Sequence, residues 1–162
     1  MSSRILVDEI YSKTGNTSAL TIESDGTIKV PQLPAFFVRD NTSSVLTFTT
    51  QTTWLWDEVV LDTRSGYSTS TGRYTVPVAG VYEFTAFTIH EGGTNGSIRM
   101  RKNGTQVANG HTSSTQDNYD TTMISYIDNF LANDWVDILA YTSSGEQYYG
   151  GVWSGFMGKM LG

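Results

Sequence analysis

The chain of 162 residues contains no cysteine. Disulfides, thiolate nucleophiles, zinc ribbons and iron–sulfur clusters are thereby excluded. Histidine is nearly absent as well. The only two, His90 and His111, lie far apart and neither has a nucleophile in a recognisable triad setting, so both read as surface or rim residues. Charge is scarce and runs acidic, with ten basic against sixteen acidic side chains and a net charge of -6. Such a balance gives no electrostatic footprint for nucleic acid or an anionic membrane. No apolar run approaches the roughly 18 to 20 residues of a membrane span, and Ile5-Leu6-Val7 meets Asp8-Glu9 far short of a secretory core. A soluble product made in a cytoplasm is expected, which leaves the sequons at Asn16, Asn41, Asn95 and Asn103 as chance products of a Ser- and Thr-rich chain. Walker and dinucleotide-binding glycine patterns are missing too.

What remains is strand-forming. Three prolines, sixteen glycines and abundant Thr, Ser and Tyr suit pleated, half-buried surfaces joined by tight turns. Asn103-Gly104, between alternating arms, supplies the two positive-φ residues of a type I′ hairpin turn. Further strands are expected over 35–39, 45–48, 58–62, 72–76, 80–90, 121–131, 134–141 and 151–161. Short strands with regular turn signals mean an all-β antiparallel sandwich or barrel.

The alternation carries a second message. Over 80–90, Val81, Thr85, Phe87 and Ile89 oppose Tyr82, Phe84 and Ala86, so neither face is polar. Trp135, Leu139 and Tyr141 oppose Val136, Ile138 and Ala140 in the same way. Strands apolar on both faces need a second buried surface, and a contact between copies is the economical one; a closed barrel around an apolar ligand is the alternative. Trp54 and Trp56, two apart, share a face and belong to core or interface.

Residues 1–33 stand apart from 34–162. Short alternating segments there are split by Gly15-Asn16-Thr17 and Asp25-Gly26 and closed by Pro31-Gln32-Leu33-Pro34. Too small to bury a core alone, this arm is expected to order against copies of itself or another protein.

The stretch from Gly72-Arg73-Tyr74 through Pro77-Val78-Ala79-Gly80 to Val81-Tyr82-Glu83-Phe84 resembles the globular head of complement C1q, a jelly roll shared in outline with the tumour necrosis factor family. Pro77 fixes φ entering that turn, Gly80 can take the geometry leaving it, and Tyr74, Tyr82 and Phe84 can fill the space between sheets. Lys102-Asn103-Gly104, Asn133-Asp134-Trp135-Val136 and Trp153-Ser154-Gly155-Phe156 are similar to later family motifs, although Asn133 stands where Gly is usual and no collagenous stalk is present. The resemblance implies a C1q/TNF-like antiparallel β-sandwich that assembles as a homotrimer, with Trp54, Trp56, Tyr74, Tyr82, Phe84, Phe87, Trp135, Tyr141 and Phe156 in its core or trimer interface. The arm is similar to the opening of small virion proteins of tailed, especially marine, bacteriophages. That likeness implies a virion protein held to another virion protein through residues 1–33, with Ile5, Val7, Ile10 and Tyr11 as the anchoring side chains.

Chemistry finds no foothold. Asp57 and Glu58 are adjacent and would point to opposite faces of a strand, so they cannot form a glycosidase pair. Asp117-Asn118-Tyr119-Asp120 lacks the spacing and glycine of a calcium loop. No catalytic residue, metal or cofactor is expected. Tyr119, Tyr148, Tyr149 and Trp153 sit in or beside turn-rich segments, where flat rings can stack on a host surface glycan or equally close the sandwich. Two functions follow as expectations: a head fibre or capsid decoration knob, or the receptor-binding tip of a tail fibre.

Overall fold

The structure, a computed structural model, describes residues 8–11, 18–30, 33–90, 96–111, 119–142 and 146–162. It divides into two compact units, Met1–Leu33 and Pro34–Gly162. In the first, β1 (Glu9–Tyr11), β2 (Ser18–Ile22) and β3 (Ile28–Lys29) form a three-stranded antiparallel sheet. Ile10, Tyr11, Ile28 and Val30 on it are exposed, so this sheet has no apolar interior of its own among the described residues. Ile5 and Val7 lie outside the described residues.

The second unit is a sandwich. Its strands in order are β4 (Ala35–Arg39), β5 (Val45–Phe48), β6 (Thr52–Thr53), β7 (Glu58–Asp62), β8 (Tyr67–Ser68), β9 (Arg73–Thr75), β10 (Gly80–His90), β11 (Gly96–Lys102), β12 (Thr105–His111), β13 (Thr121–Phe130), β14 (Trp135–Thr142), β15 (Glu146–Tyr149) and β16 (Gly155–Met160). One sheet runs β5-β15-β10-β16-β4-β7 with β13 along the other edge of β10. The other runs β12-β11-β14-β9-β8 with β6 on β14. Every pairing is antiparallel, and the order of non-consecutive strands is that of a jelly roll.

Period-2 alternation decides which side chains meet between the sheets. From one come Phe36, Val38, Tyr82, Phe84, Ala86, Ile124, Phe130 and Phe156; from the other come Tyr74, Ile98, Met100, Val136, Ile138 and Ala140. The aromatic rings interlock, with Phe36 stacked on Tyr74 at 4.0 Å and Phe156 set edge-on to Phe36 at 4.9 Å. Each such buried side chain contributes about 1.5–3 kcal/mol relative to exposure. Asn103 and Gly104 hold φ of 51° and 85°, the left-handed pair a type I′ turn requires.

Three expectations need correction. Gly80 does not serve a left-handed geometry: a Cβ there would lie 2.5 Å from Met160 Cε and 2.9 Å from the Gly162 carbonyl, so the strand end simply has no room. The segment 151–161 is not one strand, because Gly151 at φ 65° folds Gly151–Trp153 into a single 3-10 turn before β16 begins at Gly155. Finally β15, unexpected from its two polar then two aromatic residues, bridges β10 to β5.

Candidate functional site

Two surfaces differ in what their strands turn away from the core. On β10 the inward residues Tyr82, Phe84, Ala86, Thr88 and His90 are buried, and Val81, Glu83, Thr85, Phe87 and Ile89 are half-buried on the outer side. Cross-strand register extends that outer side into rows. Leu61, Phe37, Met157 and Thr85 lie side by side, and Phe87 faces Met123 while Glu83 faces Ile127. Leu61, Met123 and Ile127 are 49%, 70% and 56% exposed. Between β4 and β10 runs an open groove of about 480 Å3, floored by Phe37, Leu61, Thr85 and Met157, with Glu83 and Lys159 paired at 3.4 Å along it.

The outer side of the other sheet is ionic. Asp137 on β14 is fully buried, forked by Arg101 at 2.8 and 2.7 Å and approached by Arg73 at 3.6 Å. Arg101 also donates to Thr53, and the Arg73 guanidinium lies 3.8 Å from the Trp135 ring centre. Lys102 turns the other way: in register with the inward Val136, it reaches across to β13 of the opposite sheet, bridging Asp128 at 2.8 Å and lying 4.1 Å from the Phe130 ring. Lys102 and the Tyr126 hydroxyl hold the Asp128 carboxyl down to about 2.

The expected core or interface residues divide accordingly. Trp54, Trp56, Tyr74, Tyr82, Phe84 and Phe156 are interior to one chain, with Trp54 and Trp56 stacked at 4.3 Å. Phe87 lies on the apolar outer side and Trp135 on the ionic one. The Tyr141 side chain lies outside the described residues, although its backbone pairs with Ser97. Among the expected ligand-binding rings, Tyr148 is fully buried, donates its hydroxyl to the Ser97 carbonyl and packs against Trp54 and His90. It is a core residue, placed there because β15 pairs with β10 and β5. Tyr119 and Tyr149 do meet, stacked at 5.3 Å, with Tyr119 64% exposed, and Trp153 is half exposed.

No catalytic geometry emerges from the groups tested. Asp57 accepts the Asn41 backbone N–H, and Glu58 is forked by Arg39 at 2.6 and 3.0 Å. Asp117 lies outside the described residues. Among the described residues no group of three or more acidic or histidine side chains could hold a metal ion. His90 is not a rim residue: only 2% exposed, its Nε2 meets Thr122 Oγ1 at 3.3 Å, and burial, with His111 nearby, pushes its pKa down to about 4. Alternation from Tyr82 through Phe84 and Ala86 carries that residue inward, a signal present in the sequence.

No curated protein matches the chain. Solved structures with the same fold include the globular domain of zebrafish complement 1qA protein, 20% identical, covering 80% of this chain and 98% of that one, with a TM-score of 0.61. Eiger TNF from S. frugiperda is 15% identical over 80% of this chain and 93% of its own, at a TM-score of 0.66. Murine APRIL is 11% identical over 80% of this chain and all of its own, at 0.64. C1q/TNF domains are generally non-enzymatic and typically trimeric. The C1q domain model matches residues 35–158, and the chain belongs to that family.

Proposed function

We propose that this chain is a structural protein of a phage virion: a homotrimeric knob without enzymatic activity, held to another virion protein by residues 1–33. The observation that carries the trimer is the apolar outer side through Leu61, Phe37, Met157, Phe87 and Met123, which a lone copy leaves in water. Contiguous apolar surface rimmed by a Glu83–Lys159 pair is the pattern of a subunit contact. The anchoring role rests on the separate unit Met1–Leu33, on its exposed Ile10 and Tyr11, and on its resemblance to virion protein openings. Of the virion locations, a head fibre or capsid decoration is the placement we put forward. Sedimentation of the isolated protein gives three times the chain mass if the reading holds; a stable monomer at micromolar concentration overturns it. Imaging of intact particles at side-chain resolution places the knob on the capsid, and a knob found only at tail fibres overturns that placement.

A second reading, the receptor-binding tip of a tail fibre, draws on the stacked Tyr119 and Tyr149 with half-exposed Trp153 on the same unit. A glycan array hit lost on Tyr119→Ala and Tyr149→Ala favours it, and binding that survives both changes removes it.

A further inference from the structure

Asp40, at the end of β4, is a carboxylate buried without a countercharge. It is 6% exposed; the Trp54 indole N–H reaches both its oxygens, at 3.1 and 3.3 Å, and its own backbone N–H adds a weaker donation. Among the described residues no Lys, Arg or His pairs with it. The groups around it are otherwise engaged. Arg39 is forked onto Glu58, and Arg101, which touches the nearby Thr53, is forked onto Asp137. The Tyr67 hydroxyl donates to the Trp56 carbonyl, and Asp57 adds only a like charge. Burial first, and Asp57 after it, push the Asp40 carboxyl up to about 6.

Asp40 lines an open cleft of about 240 Å3 whose other walls are Leu46, Phe48, Thr52, Thr53, Trp54 and Leu55. Trp56, parallel behind Trp54 at 4.3 Å, fixes the indole and with it the orientation of the carboxylate. A carboxylate has roughly four lone-pair sites, and the indole N–H and the Asp40 backbone N–H use up only part of them. The cleft therefore combines a negative group short of donors with walls suited to a few methylenes.

We propose that this cleft binds an alkylammonium group of the kind a lysine side chain carries, with Asp40 accepting its N–H donors and Leu46, Phe48 and Leu55 covering its stem. A guanidinium would need the two-oxygen edge that the indole already occupies, whereas an ammonium is a point charge satisfied by one oxygen. A hard metal ion would need about six or more oxygen ligands, and the lining offers one carboxylate and two threonines. The inference does not depend on the trimer or on the virion assignment.

The test is a titration of the full-length protein with n-butylammonium chloride at constant ionic strength, following the Trp54 indole N–H resonance, with n-butanol as the uncharged counterpart. At pH 8 the resonance shifts saturably with a dissociation constant of about 1–10 mM, the range open to so small a ligand. At pH 4.5 the affinity falls about thirtyfold, because a carboxyl titrating at about 6 is then almost wholly protonated. Asp40→Asn, which keeps an acceptor for the indole, abolishes the saturable shift, and n-butanol produces none. Equal titrations of Asp40→Asn and the unaltered protein, equal effects of n-butanol and n-butylammonium, or no saturation at pH 8 each overturn the proposal. Should Asp40→Asn fail to fold, the pH and n-butanol comparisons on the unaltered protein decide.

Discussion

The two sheets are alike inside and unlike outside. Each sends a full row of apolar side chains into the shared core, Tyr82, Phe84 and Phe156 from one and Tyr74, Ile98 and Ile138 from the other. Facing away, one shows Arg73, Arg101 and Asp137 and the other shows Phe37, Phe87, Met123 and Met157. The ionic side is complete within one chain: Asp137 is fully buried because the guanidinium groups close over it, and Trp135 is covered by Arg73. The apolar side is complete only if something covers it. Folding of a single chain constrains the inward rows alone, so a contrast between the outward rows reports what each sheet meets beyond its own chain.

The strongest way to break this comparison is to charge both outer sides. Met123 and Ile127 are exposed in one chain, so Met123→Asp with Ile127→Asp should leave the single subunit folded. In the proposed trimer the same two carboxylates become buried without partners, at several kcal/mol each, which raises the dissociation constant about a thousandfold or more. Sedimentation should then find a folded monomer. Gln106→Asp with Asn109→Asp, both exposed on the other sheet, should leave the mass unchanged. A trimer surviving the first pair would mean that the apolar side is not the contact.

Asp137→Ala attacks the ionic side. Removing it leaves Arg101 and Arg73 without their buried partner, a loss of about 3–5 kcal/mol by the behaviour of buried pairs stripped of one member. Denaturant unfolding should register that loss while the assembly stays intact.

The sequence carried the strands and the inward rows because both follow from the period-2 alternation of side chains that a single chain must bury. That is why 35–39, 45–48, 58–62 and 80–90 read as the strands they are. It carried Asn133 less directly: this residue stands where the family has Gly, and its φ of 74° shows that the left-handed conformation is retained by one of the few side chains that tolerate it. The neighbours of Tyr148 were not legible. Glu146-Gln147-Tyr148-Tyr149 becomes a strand through pairing with Val45–Phe48, about a hundred positions earlier, and with Ile89 and His90, long-range contacts whose partners no local pattern names. Asp40 was missed for the same reason, since its burial depends on Trp54 arriving from a different segment. The turn-forming residue types of Ser143-Ser144-Gly145 and Gly150-Gly151 in the sequence were the available signal for β15.

Acid sharpens the comparison in the interior between the sheets. His90, held to about 4, titrates near 6.5 when unfolded, so between those values the unfolded chain carries more protons. Its contribution is lost as pH falls from 6.5 to 4, by up to about 3 kcal/mol. Asp40 works in the opposite sense. Raised to about 6 from 3.8, it binds its proton more readily when folded, so its contribution grows as pH falls from 6 towards 4. The unaltered protein should therefore change little between pH 7 and 4.5. His90→Gln should become more stable on acidification and Asp40→Asn less stable, each by about 2–3 kcal/mol in denaturant midpoints converted to free energy. Asp128, held to about 2, stays ionised throughout this window.

The smallest effects concern the hairpin that closes the ionic sheet. Gly104→Ala places a Cβ no nearer than 3.8 Å to the Trp135 ring, so space is available and only the φ of 85° resists it, at about 1 kcal/mol. Asn103→Gly should relieve its φ of 51°, yet destabilise by a similar amount. The reason is that the Asn103 side chain donates to Asp134 at 2.7 Å and accepts from the Trp135 backbone N–H at 2.9 Å, tying the turn to β14. Thermal unfolding of the two variants separates these causes. If Asn103→Gly stabilises, backbone geometry alone selects the residue, and the ionic sheet owes less to its side-chain network than the burial of Asp137 implies.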